Sequence, residues 1–222
     1  MIKLGLVVAV EEDALTRRYG DGYKLNDLYD TEVYQIKGHQ VYAAKSGVGE
    51  INAAAAVQYL IDRYDVSAIV NYGTVGACSD DMVPGETCVV DRVVHYGFDL
   101  SEVDDVEPGQ YPGTEDVYLY SDRKWLSEAN REGLRAVTAA SADRFVGTWY
   151  EKDRLLREYD ADICDMESAG IIITARRNNI PCLLVKCVAD DMDGGAEKYY
   201  LEKESSSDRC LAALEMILAG NK

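Results

Sequence analysis

Short, nearly continuous apolar runs alternate along this chain with longer stretches in which apolar residues recur every three or four positions. Residues 2–10 form the first run and stop at Glu11-Glu12-Asp13, as a buried strand leading into a polar loop would. Val33 to Ser46 reads as two strands folded about Gly38-His39, and Ser46-Gly-Val-Gly49 turns the chain into an Ala-rich helix over Ile51 to Tyr64. Ala68 to Tyr72 is a second core strand ending at Gly73-Thr-Val-Gly76, and Glu86 to Val94 is a further strand after the Pro84-Gly85 turn. The acidic stretch 99–118, which carries Gly109, Pro112 and Gly113, predicts a long loop or lid. Next come a helix over Asp122 to Thr138, a strand over Asp143 to Thr148 and a short helix over Glu151 to Tyr159. A short strand over Asp160 to Cys164 and a helix from Met166 to Asn178 lead to the last core strand, Pro181-Cys-Leu-Leu-Val-Lys-Cys-Val-Ala-Asp190. Ser205 to Ala219 closes the chain as a helix. This order predicts an α/β fold, a three-layer α/β/α sandwich about a central mixed, largely parallel sheet, in a single domain over residues 1–222.

Composition narrows the partners more than the fold. Forty acidic residues against 23 basic ones give a formal charge of −17, a surface that repels nucleic acid and anionic membranes. No apolar run reaches roughly 18 residues, the length a membrane-spanning helix needs. The opening run has a single basic residue, Lys3, and ends in carboxylates rather than a small-residue cleavage site, so it reads as a strand and not a leader. The six cysteines include no Cys-x-x-Cys pair, and with only His39 and His95 beside them no metal-ligand spacing appears. A cytoplasmic protein without a metal or organic cofactor is expected.

The candidate chemistry lies where predicted strands end. In open α/β sheets ligands sit just outside the carboxyl ends of strands. Asp190 closes a buried strand, where partial desolvation raises a carboxyl's pKa and equips it to protonate a leaving group; its bland alternative is a helix cap. Asp165-Met166-Glu167 stands where a strand meets a helix, a place where a carboxylate can equally serve the helix dipole. Glu11-Glu12-Asp13 is either part of a site or a solvated acidic loop, since adjacent carboxylates are cheapest in water.

In their order and spacing these segments resemble the nucleoside phosphorylase/nucleosidase superfamily, and within it the 5′-methylthioadenosine/S-adenosylhomocysteine nucleosidases. The resemblance runs nearly the whole chain and rests on Val10-Glu-Glu-Asp13, Ser46-Gly-Val-Gly49, Asn71-Tyr-Gly-Thr-Val-Gly76, Asp165-Met-Glu167 and Val188-Ala-Asp190. It implies hydrolysis of a purine–ribose bond, a small purine nucleoside as partner, and a homodimer. By the same resemblance Asp190 protonates the departing base, Glu167 grips the ribose hydroxyls, and Met166 packs beneath the sugar. Asp13, or Glu12 through a one-residue shift, handles the attacking water. Thr74 stands where the family usually has a serine, close to Gly76, and Lys186 where an arginine is common, both near the water or phosphate; Lys186 reads equally as a strand residue whose head reaches out to solvent. Trp149 and Tyr150 match the adenine-binding region, and Tyr96 and Phe98 are further stacking candidates. Two alternatives stay open: a phosphate-dependent phosphorylase of the same fold, and a nucleoside-binding relative without turnover.

Overall fold

The apolar run after Ile2 forms β1 (Lys3–Val8), every residue of which beyond Lys3 is buried. In the computed structural model, which describes residues 2–220, β1 pairs in parallel with β4 (His39–Lys45) on one side and β5 (Ala68–Ala77) on the other. The hairpin read about Gly38-His39 is β3 (Glu32–Ile36) with β4, antiparallel, and β2 (Tyr23–Lys24) extends that edge. On the far side β5 pairs with both β10 (Cys182–Asp190), in parallel, and β9 (Ile163–Asp165), antiparallel. β6 (Thr87–His95) and β8 (Arg135–Ser141) complete the path from β10 back to β9, so β5, β10, β6, β8 and β9 close on themselves. A short β7 (Tyr118–Tyr120) runs antiparallel to β6. The sheet therefore mixes parallel and antiparallel pairs, as expected, and half of it curls into a ring.

Period-two alternation in the central strands sends side chains to both faces, and each face has its own core. One combines Leu4, Leu6 and Val8 with residues of α1 (Glu12–Tyr19), α3 (Arg123–Arg131) and α6 (Ala196–Gly220). The other sets Val7, Ile69 and Leu184 against α2 (Glu50–Tyr64) and α5 (Ser168–Arg177). A smaller cluster of Val94, Ala140 and Cys164 is covered by Leu155 of α4 (Trp149–Tyr159). These are the three expected layers.

Several boundaries differ from the sequence reading. Gly73 to Ala77 continue β5 and are not a loop, because β10 and β9 hydrogen-bond them on both sides. The helix expected over Asp122 to Thr138 stops at Arg131, and its second half is β8, whose Arg-Ala-Val-Thr-Ala-Ala-Ser run lies between β6 and β9. Asp143 to Thr148 forms no strand, α1 begins inside the acidic triplet, and the last helix starts at Ala196, well before Ser205.

Candidate active site

The ends of β1, β9 and β10 and the outer part of β5 surround a cleft that encloses, with the solvent space at its mouth, about 550 Å³. Glu11, Thr74, Gly76, Asp165, Met166, Glu167 and Asp190 all line it.

Asp190 is the last residue of β10 and only 1% exposed. Relative to β5, the pairing steps from Val188–Val75 to Asp190–Gly76, so Ala189 is an extra residue. Such a bulge turns the side chain that follows it. Asp190 consequently lies beside Gly76, where a Cβ would sit 3.2 Å from Oδ1. Burial pushes the Asp190 carboxyl above the usual carboxylate range, against the pull of the Lys152 ammonium on Oδ2.

Glu167 precedes α5, and its Oε1 accepts a 2.8 Å hydrogen bond from the Gly49 backbone N–H. Gly49 has φ +102°, and a side chain there would strike Asp143 Oδ1; this, rather than a ligand, is what the glycine admits. Burial, and then the nearby charge of Asp165, push the Glu167 carboxyl up to about 7. Asp165 itself lines the wall, but its oxygens are committed. Lys186 Nζ lies 2.8 Å from Oδ2, and Ser168 donates through its backbone N–H (3.2 Å) and its hydroxyl. Burial opposes the charge on Asp165, yet Lys186 and these hydrogen bonds hold its carboxyl below the usual range.

The acidic triplet resolves against the expectation. Glu11, not Glu12 or Asp13, faces the cleft: its Oε1 accepts from the Thr74 hydroxyl at 2.9 Å and the Thr74 N–H at 3.2 Å. Glu11 is the residue before α1, and Tyr72 anchors its carbonyl with a 2.7 Å bond from the phenol. Glu12 and Asp13 are the first residues of the helix and turn outward, Glu12 towards Tyr34 and Lys45, Asp13 towards Arg17 and Lys203. There they complement the helix dipole.

Three other expectations also move. Lys186 does not reach the cleft; it is buried behind the wall with its charge spent on Asp165. Trp149 and Tyr150 are 48% and 72% exposed, because Thr148 caps α4 and the first helical turn points them to solvent. Tyr96 belongs to the small core cluster and Phe98 stacks on Tyr111, with ring centroids 4.1 Å apart. The aromatic wall is instead Phe145 and Tyr199, edge to face at 6.0 Å, and the Tyr199 hydroxyl lies 3.1 Å from Thr74 Oγ1. Phe145 lay within reach of the sequence, four residues before the Trp149-Tyr150 pair matched to adenine binding. Tyr199 did not, since its helix was expected to begin later.

A carboxyl clamp, a desolvated acid and a hydroxyl–carboxylate couple on one cleft can hold a polyol, protonate a leaving group and orient water. Comparison with known proteins places the chain in a family. The family model of the phosphorylase superfamily matches residues 3–220, and the chain belongs to that superfamily. Among curated relatives it is 26% identical over 228 residues to a 5′-methylthioadenosine/S-adenosylhomocysteine nucleosidase of Staphylococcus aureus, covering 95% of this chain and 98% of the relative. It is 24% identical over 207 residues, 89% of each chain, to the aminodeoxyfutalosine nucleosidase of Campylobacter jejuni. Its fold matches that of S-adenosylhomocysteine nucleosidase from Streptococcus pyogenes in complex with 5-methylthiotubericidin, with a TM-score of 0.92, 21% identity, and coverage of 100% and 98% of the two chains.

Proposed function

We propose that this protein hydrolyses the N-ribosidic bond of a purine nucleoside of the 5′-methylthioadenosine or S-adenosylhomocysteine type, releasing adenine. The observation that carries this reading is the convergence of Asp190, Glu167 and the Glu11–Thr74 couple on one cleft. Asp190 donates to the base as the bond breaks, a transfer worth about 10²–10⁴ in rate. Glu167, once ionised, accepts from the ribose hydroxyls and favours positive charge on the sugar. Glu11 and Thr74 orient the water, with Met166 and Phe145 as apolar walls for sugar and base.

Water suits this cleft better than phosphate. Glu11, Asp165, Glu167 and Asp190 present carboxyl groups, and the arginine in the wall, Arg144, is ion-paired with Glu151. A phosphate dianion would meet repulsion there. The reading extends to the homodimer that the family resemblance implies. A reducing cytoplasm accords with cysteines that are all free and buried. The reading as a single domain is supported by β1 and β10, from opposite ends of the chain, both pairing with β5.

Adenine release from a panel of nucleosides, followed by ultraviolet absorbance with and without phosphate, tests the proposal. Release without phosphate is expected, with Asp190→Asn and Glu11→Gln each slowing turnover about 100-fold or more, while Glu12→Gln and Asp13→Asn stay close to the parent. A strict phosphate requirement makes the protein a phosphorylase. Binding without any adenine makes it a nucleoside-binding relative.

A further inference from the structure

Lys152, which the sequence analysis did not single out, is 0% exposed on the inner face of α4. Its ammonium bonds Oδ2 of Asp190 and the backbone carbonyl of Asp191, and it lies 3.4 Å from the carbonyl of Gly194. The cost of desolvating a buried ammonium is offset only when its partners are well placed. Leu155, one turn on, shows that an apolar side chain would serve the packing of this face. With Oδ2 occupied, Oδ1 takes no hydrogen bond among the described residues and is the oxygen nearer Gly76 in the cleft wall.

We propose that Lys152 is a positioning residue for the acid of the reaction, aiming Oδ1 of Asp190 at the base and stabilising the carboxylate that forms when Asp190 gives up its proton. This deepens the nucleosidase reading and rests on it. As the C1′–N9 bond breaks, its electron pair goes to the purine and N7 takes the proton from Oδ1. The water oxygen bonds C1′ and its proton passes to the Glu11 carboxylate. Exchange with solvent then removes that proton and restores the one on Asp190. In this step the charge on Asp190 develops as its proton leaves, so Lys152 acts on the barrier more than on nucleoside affinity.

Asp190 is faced by few other charges. Asp191 and Lys198, on the segment leading into α6 and on α6 itself, pair with each other and so offset one another. From β9 and from the residue after β5 come the thiols of Cys164 and Cys78. Lys152 is therefore the cation that opposes burial at this carboxyl.

Lys152→Met and Lys152→Gln test the inference; the second keeps a donor for Oδ2 without the charge, and serves if the first fails to fold. The Asp190 carboxyl is followed by carbon-13 NMR through a pH titration, and kcat and KM are measured over the same range. Both variants are expected to raise the Asp190 titration by about one pH unit or more. The alkaline limb of kcat/KM should rise with it, and kcat at neutral pH should fall about tenfold or more with KM little changed. In an Asp190→Asn background neither variant should lower kcat further. An unmoved titration, or an equal loss of kcat in that background, overturns the assignment. The titration needs no turnover, so it judges the Lys152–Asp190 coupling even if the parent releases no adenine and the nucleosidase reading falls.

Discussion

Glu167 shows how much a single residue's surroundings decide. Its position before a helix was legible, but the sequence alone left it an even choice between ribose clamp and dipole partner. The structure gives it one backbone donor, a buried wall and the charge of Asp165, which push its carboxyl up to about 7. Only the ionised form can accept from two hydroxyls, so nucleoside affinity is expected to fall as pH drops below about 7. In Glu167→Gln that pH dependence should vanish and kcat/KM should be lower by about tenfold or more at pH 8. A titration of Kd against pH in both proteins checks this. Asp190 was legible because it ends a buried strand whose apolar run can be read directly; Glu167, Asp165, Met166, Thr74 and Gly76 were picked out by the family resemblance, and all of them line the cleft. Glu11 was not, because which of three consecutive carboxylates turns inward depends on where the helix starts, a matter of one residue that periodicity does not resolve.

At the scale of elements, the apolar runs placed β1, β4, β6 and β10 within a few residues. What failed were segments whose fate depends on a distant partner. Arg135 to Ser141 has no strong strand pattern of its own and becomes β8 because β6 and β9 supply its hydrogen bonds. The contact between α2 and α5 is likewise invisible in sequence, yet it positions Glu167, the proposed ribose clamp. Gly170 of α5 lies against the backbone of Glu50 at the start of α2, where a Cβ would run into the Glu50 carbonyl. Gly170→Ala would gain about 1 kcal/mol of helix propensity. Backbone cannot yield as a flexible side chain does, and overpacking of this kind costs about 1–3 kcal/mol, so the clash should prevail. Moving α2 also moves Gly49, whose N–H holds Glu167. A Tm lower by up to roughly 8 °C, together with a raised KM, is expected. Calorimetry and steady-state kinetics on the one variant measure both.

For the molecule as a whole, the buried pair of Lys186 and Asp165 links the fold to the site. The two strands that carry it, β10 and β9, flank β5, and Gly73 of β5 leaves room for the Lys186 ammonium with Glu11 close by. An arginine-like role at the nucleophile was the expectation for Lys186; the structure spends its charge on bracing the ring of strands instead. Asp165→Asn would leave that ammonium buried and unpaired, a loss of about 3–5 kcal/mol, whereas Asp165→Asn with Lys186→Met removes both charges and should recover most of it. Because the folded protein holds the Asp165 carboxyl below its ordinary range, the stability it contributes is present above the ordinary carboxylate pKa and disappears as the pH falls through the lowered folded value. Denaturant unfolding at pH 7 and at stepwise lower pH should therefore show the parent converging on the double variant in acid. If the difference between them stays constant down to the acid transition, the pair is not what ties the curled half of the sheet together, and the position of Glu167 next to it must be held by α2 and α5 alone.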